Sequence, residues 1–97
     1  MEFANLENAH LEQSDFKYVN MTGAYFHDTH LERTTYDNVN LRDARFFHVY
    51  LQFSTFENTT LINARIIDES DLTDVVMYDN VLVLSTHFND SILVNAN

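Results

Sequence analysis

Two histidines and two glutamates are the residues of this chain whose types and spacing could support metal chemistry. His10 and His30 lie twenty residues apart, and each is followed two positions later by a glutamate, Glu12 or Glu32. Imidazole and carboxylate groups are common ligands of Zn²⁺ and related ions. The alternative is an exposed ladder of polar side chains, which we favour because a flat outer face offers no groups behind the rings to orient them. The four residues therefore remain candidates only, and we predict no cofactor.

Other catalytic arrangements are missing from the sequence. The chain contains no cysteine and a single glycine, which excludes thiolate metal sites, disulfides and glycine-rich phosphate loops. Ser14, Ser54, Ser70 and Ser91 occupy a position where small residues recur, so each is expected to fit the protein interior and bond to the backbone. The sequence accordingly predicts that the chain is not an enzyme.

The charge of the chain restricts its partners. Among 97 residues, Asp and Glu number 15 and Lys and Arg number 5, which gives a formal charge of −10. This excess of negative charge disfavours binding to nucleic acid phosphates or to anionic membranes, so we expect basic or neutral protein partners. No apolar run approaches ~20 residues and the N-terminus lacks the layout of a signal peptide. We therefore expect the chain in the cytoplasm or delivered into a host cell.

A large apolar residue at every fifth position organises the chain. A period of five fits neither the 3.6 residues of a helical turn nor the two-residue alternation of a strand. Two residues before each large residue stands a small or β-branched one, so both positions are predicted to point inward. The residue two positions after the large one is often Asn or Asp. Both tolerate turn conformations, and they can take this role in a chain with almost no Gly or Pro. The large residues, termed centres, are Leu6, Leu11, Phe16, Met21, Phe26, Leu31, Tyr36, Leu41, Phe46, Leu51, Phe56, Leu61 and Ile66.

The segments ANLEN, SDFKY, VNLRD and SDLTD resemble the A(D/N)LXX motif of the pentapeptide-repeat family, and the resemblance covers almost the whole chain. It implies an all-β fold, a right-handed quadrilateral β-helix with four pentapeptides in each square coil. The core should then repeat every twenty residues, as Leu11, Leu31 and Leu51 do. Residues 1–97 are predicted to form one solenoid domain of about four to five coils.

The five-residue period slips by one residue at two places. The centres Ile66 and Leu72 are six residues apart, and so are Leu82 and Phe88. Because the residue types of each face survive both slips, we interpret them as one-residue insertions at corners, within 67–69 and within 83–85.

Two classes of function fit a rigid solenoid of this kind. The first is a rigid, non-catalytic scaffold that binds a protein partner or an adjacent domain, similar to the β-helix segments of some bacterial secreted effectors, including HECT-like ubiquitin ligases. The alternative is an acidic DNA mimic that inhibits a type II topoisomerase, although members of that class resemble longer rods with a C-terminal dimerisation helix. A third hypothesis is a metal-binding surface. The repeat pattern already includes Met1 and still continues at Ala96. We therefore expect a fragment of a longer protein or a unit that stacks end to end.

Apolar residues at outward positions identify a candidate interaction patch. In the first two coils these positions are mostly polar or charged, whereas from the third coil onward many are apolar. One interpretation is β-propensity, because Val and Ile suit strands wherever they point. The other is that the C-terminal half docks against another domain or a second copy, with Tyr78 as an aromatic anchor. The predicted patch consists of Phe47, Tyr50, Phe53, Val76, Tyr78, Val81 and Val83.

Overall fold

The computed structural model describes residues 2–67 and 70–78, which contain seven short parallel strands. Each strand is three residues long and consists of a centre, or the residue that takes its place after the slip, with its two neighbours. The strands are β1 (Asp15–Lys17), β2 (Tyr25–His27), β3 (Thr35–Asp37), β4 (Arg45–Phe47), β5 (Thr55–Glu57), β6 (Arg65–Ile67) and β7 (Val76–Tyr78).

Parallel pairing about every twenty residues coils the chain into a four-sided solenoid. Strands β1, β3, β5 and β7 form one sheet, and β2, β4 and β6 form another. Two further ladders of isolated bridges make the remaining sides, one starting with His10↔His30 and the other with Asn20↔Asn40. The predicted all-β solenoid is confirmed. Three full turns separate β1 from β7, so the described residues contain somewhat fewer than the expected four to five coils.

The centres and the small residues before them fill the interior, as predicted. Every centre from Met21 to Leu72 is at most 1% exposed. The aromatic centres stack face to face, with ring centroids 4.4 Å apart both for Phe26 on Phe46 and for Tyr36 on Phe56. In the described residues only one neighbouring coil covers the first coil, and its centres are therefore half-buried: Leu6, Leu11 and Phe16.

Residues with positive φ make the corners of the coil. Wherever the structure describes the residue two after a centre, its φ lies between 48° and 69°. Several of these corners are β-turns, as in the hydrogen bond from Ala44 N to Leu41 O, 3.1 Å, across Asp43. The predicted turn role of Asn and Asp is confirmed at Asn8, Asp28, Asn38, Asp43, Asn58 and Asn63. Bulkier residues adopt the same conformation at Phe3, Gln13, Tyr18, Arg33, His48 and Phe53.

A change of register confirms that one residue is added near the first predicted insertion, although residues 68 and 69, within its predicted bounds, lie outside the described residues. Paired residues lie 20 apart up to Phe47↔Ile67 and 21 apart from Tyr50↔Asp71 onward. The extra residue therefore falls between Ile67 and Asp71, and the sheets continue beyond it. The second predicted insertion, within 83–85, lies outside the described residues.

The leucine column predicts where the core is most sensitive to truncation. Leu51 is fully buried, and the ladder places it between Leu31 and Leu72, which are also buried. Leu51→Ala removes contacts to two neighbouring layers and should lower the free energy of unfolding by about 2–5 kcal/mol. The outward neighbour change Gln52→Ala removes only a hydrogen bond of 3.0 Å to Asp71 and should lower it by no more than about 1 kcal/mol. Denaturant unfolding compares the two, and equal losses would contradict the assignment of inside and outside.

Relief of one strained corner should stabilise the fold. Tyr18 has a φ of 53° and its side chain is 79% exposed, so the residue bears backbone strain without a compensating buried contact. Tyr18→Asn should raise the free energy of unfolding by about 0.5–1 kcal/mol, because Asn tolerates this conformation. The control is Lys17→Asn, a change at a strand position of the same repeat, which should give no gain. If both variants unfold at the same denaturant midpoint, the corner is not strained.

Candidate functional site

The buried hydroxyl groups have structural roles. Ser54 is fully buried, and its Oγ donates a hydrogen bond of 2.9 Å to Leu31 O. It also lies 2.9 Å from Thr34 Oγ1, which itself donates to Leu31 O at 2.8 Å. The Oγ of Ser70 accepts the Val49 N–H at 3.0 Å. These bonds satisfy hydroxyls inside a close-packed interior, which leaves the outer surface to bind other molecules.

The two predicted histidines lie on one outer column and stack on each other. The rings of His10 and His30 are 4.7 Å apart and within 7° of parallel. Tyr50 continues the stack at 4.6 Å from His30, with an interplanar angle of 8°. The next outward column contains Glu12 and Glu32, and in each coil the glutamate Oε2 lies 3.4 Å from the histidine Nδ1. These five residues, the histidine ladder, bring together all four candidates for a metal site.

Ligand atoms within the histidine ladder converge on a small region. One nitrogen of His10, one nitrogen of His30 and one carboxylate oxygen of Glu12 all lie within 4.8 Å of one another. A hydrogen bond from its own backbone N–H, with a smaller contribution from His10 and His30, holds the pKa of the Glu12 carboxyl below its ordinary value. The Oε1 atoms of Glu32 and Gln52, in the same outer column, are buried without a hydrogen-bond partner. The ladder thus presents nitrogen and oxygen donors in a form that suits a cation.

A second group of histidines contacts carboxylates in neighbouring coils. His27 Nδ1 lies 3.0 Å from Glu7 Oε2, and its Nε2 lies 3.5 Å from Asp28 Oδ2. His48 Nδ1 lies 2.7 Å from Asp28 Oδ1, and His48 Nε2 is 3.4 Å from the Tyr50 hydroxyl. The sequence analysis missed this group. The signal was present, because Glu7 and His27, like Asp28 and His48, are acid–histidine pairs twenty residues apart.

Aromatic rings surround these histidines at one corner of the coil. The ring of Phe47 packs edge to face with the rings of Tyr25 and His27, at centroid distances of 5.6 Å and 6.5 Å. On the other side of the corner, His48 lies 5.5 Å from Tyr50. The rings of this group, the aromatic corner, are partly exposed on the outer surface: Tyr25, His27, Phe47, His48 and Tyr50.

The described members of the predicted patch lie on three sides of the coil. Phe47 and Tyr50 belong to the aromatic corner. Phe53 is 49% exposed at the next corner, where the Arg33 guanidinium lies 4.7 Å from its ring centroid. Val76 lies half-buried on the following face, in β7. The side chains of Tyr78, Val81 and Val83 lie outside the described part of the chain.

The repeat architecture places the chain in a known family. A family model described as pentapeptide repeats matches residues 1–33 and 24–77, in 8 copies. The chain belongs to the pentapeptide-repeat family. Comparison with curated protein sequences gives no significant match.

Two solved structures of pentapeptide-repeat proteins share the fold. One, from the thylakoid lumen of Arabidopsis thaliana, is 14% identical with a TM-score of 0.92; the alignment covers 99% of this chain and 66% of that protein. The other is HetL, involved in heterocyst differentiation regulation in the cyanobacterium Nostoc, at 20% identity and a TM-score of 0.55, over 96% of this chain and 48% of HetL. The pentapeptide-repeat chain therefore spans about two thirds and about half of these two proteins.

Family membership is consistent with a non-catalytic repeat scaffold. Pentapeptide-repeat β-helices are generally non-enzymatic. No helix in residues 2–67 and 70–78 has the length and hydropathy to cross a membrane.

One interior polar atom gives a test of the packing. Tyr36 is 1% exposed, and its hydroxyl oxygen is buried without a hydrogen-bond partner. Burial raises the pKa of Tyr36, and the nearby Thr34 hydroxyl offsets only part of that rise. Tyr36→Phe should raise the free energy of unfolding by roughly 1 kcal/mol, because the change removes an unsatisfied hydroxyl from a ring that stacks between Phe16 and Phe56. Thermal and denaturant unfolding measure this change in stability. A less stable variant would mean that the Tyr36 hydroxyl makes a hydrogen bond in the folded chain.

Proposed function

We propose that this chain is a rigid, non-catalytic β-solenoid module that binds a protein partner through the aromatic corner. The observation that supports this proposal is the set of five partly exposed rings on the outside of the coil. Tyr25, His27 and Phe47 contact one another on one side of the corner, and His48 contacts Tyr50 on the other. Aromatic residues are enriched at protein interfaces and supply a large share of the binding energy.

Preorganisation of the rings favours binding at this corner. Tyr25 and Phe47 stand on neighbouring coils and pack edge to face, and Asp28 contacts both His27 and His48. Side chains that are already held in place lose less rotamer entropy when a partner covers them. The formal charge of −10 adds a preference for a partner whose contact surface is basic at its rim.

The alternative function, a DNA mimic, receives less support from the distribution of charge. Arg45 in β4 and Arg65 in β6 pair in register, and both are exposed. A surface that imitates the phosphates of DNA should be continuously negative along its length, and this pair interrupts it on one face. A supercoiling assay with a type II topoisomerase addresses the alternative: inhibition at low protein concentration would favour the mimic over the scaffold.

The scaffold proposal is tested by substitution at the aromatic corner. The chain is used to capture partners, and a captured protein is then purified and titrated calorimetrically against the variants. Tyr25→Ala combined with Phe47→Ala should weaken that binding at least about tenfold, since interface hot spots contribute ~2 kcal/mol or more. Tyr18→Ala is the matched control, because Tyr18 is 79% exposed at another corner, and it should bind as the parent chain does. If the double variant binds the partner as tightly as the control and the parent chain do, and its circular dichroism is unchanged, the aromatic corner is excluded as the docking site.

A further inference from the structure

We propose that the histidine ladder is a binding site for one divalent transition-metal ion of the Zn²⁺ class, with His10, His30 and Glu12 as ligands and Glu32 as a fourth donor. This site adjoins the aromatic corner, with which the ladder shares Tyr50, but none of its four ligands belongs to that corner. The proposal rests on the spacing of the donor atoms, on a contrast with the other histidines in the described part of the chain, and on a buried oxygen that lacks a partner.

Within each coil the histidine–glutamate spacing matches that of two ligands on a common ion, and the donors of His10, Glu12 and His30 together lie within 4.8 Å of one another. Each histidine Nδ1 of the ladder lies 3.4 Å from the Oε2 of its glutamate. Ligands about 2.0–2.1 Å from a tetrahedral Zn²⁺ lie roughly 3.3–3.4 Å from each other. Hydrogen bonds between a nitrogen and a carboxylate are shorter, about 2.7–2.9 Å when charge-assisted. The pairs His10–Glu12 and His30–Glu32 are thus long hydrogen bonds whose separation also matches that of two ligands on one ion.

The other described histidines provide an internal contrast. His27 lies 3.0 Å from Glu7 Oε2, and His48 lies 2.7 Å from Asp28 Oδ1. Both distances are those of ordinary hydrogen bonds. His27 Nε2 also lies 3.5 Å from Asp28 Oδ2, so the contrast is that each corner histidine has one close carboxylate, whereas in the ladder the donors of three residues gather within 4.8 Å.

The buried oxygen is a second observation, which Glu32 shares with Gln52 in the same column, and the Glu32 side chain as a whole is 30% exposed. Glu32 Oε1 is buried and has no hydrogen-bond partner, although its Oε2 faces His30. A buried carboxylate oxygen without a partner is costly, and a bound ion removes that cost. The formal charge of −10 also raises the local concentration of cations around the coil.

The stack fixes the ring plane of one of the two histidines. His30 is held between His10 and Tyr50, so its ring plane is fixed by contacts on both sides. Parallel rings direct their lone pairs along parallel planes, and binding of one ion by both requires the rings to tilt toward each other. His10, whose side chain is 70% exposed, has the freedom to do so. The donor set of imidazole and carboxylate, without thiolate, favours Zn²⁺ and its neighbours over Ca²⁺ or Mg²⁺.

The test is a Zn²⁺ titration of the whole chain after treatment with a chelator, followed by calorimetry and by thermal unfolding. We expect one saturable site, an increase in Tm, and no comparable effect of Ca²⁺. His10→Ala combined with His30→Ala should weaken Zn²⁺ binding at least about tenfold, since loss of even outer-shell partners costs 10–100-fold. The control, His27→Ala combined with His48→Ala, removes two other imidazoles and should bind Zn²⁺ as the parent chain does.

Nuclear magnetic resonance of the unaltered chain keeps the proposal testable if a double variant fails to fold. With histidine ring nitrogens labelled, the resonances of His10 and His30 should shift first as Zn²⁺ is added, and those of His27 and His48 should not follow at the same concentration. Absence of saturable binding in excess Zn²⁺, equal binding by the ladder variant and the parent, or first shifts at other histidines would each overturn the proposal.

Discussion

Stacking of one coil directly over the next is the constraint on which the rest of the structure depends. Backbone hydrogen bonds such as Leu11 N to His30 O, 2.8 Å, repeat along the ladders and hold the coils in register. With strands about 4.8 Å apart, each residue meets its counterpart from the neighbouring coil. The same rule places Phe46 on Phe26 in the interior and His30 on His10 outside. Core and surface therefore follow one periodicity.

This constraint also explains the residues found at the corners. A residue such as Tyr18 or Phe53 at positive φ lowers the stability of the fold by roughly 1 kcal/mol. It adopts this conformation because the ladders on both sides of the corner fix the path of the backbone. Gly23 occupies one of these corners, and a Cβ at that position would lie 2.6 Å from the ring of Phe3. Asn, Asp and Gly thus lower the cost of a turn that the stacking imposes.

Most of the fold was predictable from the sequence because a repeat of five assigns a role to each position separately. The slip after Ile66 could be located for the same reason, since the residue types of each face continue beyond it. The outer surface was less predictable. The twenty-residue spacing of Asp28 and His48 marks them as neighbours, yet the contacts of His27 with two carboxylates and the buried oxygen of Glu32 depend on rotamers and packing, which spacing does not encode.

A solenoid of this kind separates folding from recognition. The inward positions are committed to stacking, whereas an outward residue such as Glu32 or Tyr50 can change without altering the coil. Flat faces give no deep cavity, and identical groups stacked on one column repel when they are charged, as Arg45 and Arg65 do. Specific recognition then requires unlike groups on adjacent columns or across a corner. In the described residues both conditions are met around Tyr50, which belongs to the histidine ladder and to the aromatic corner at once.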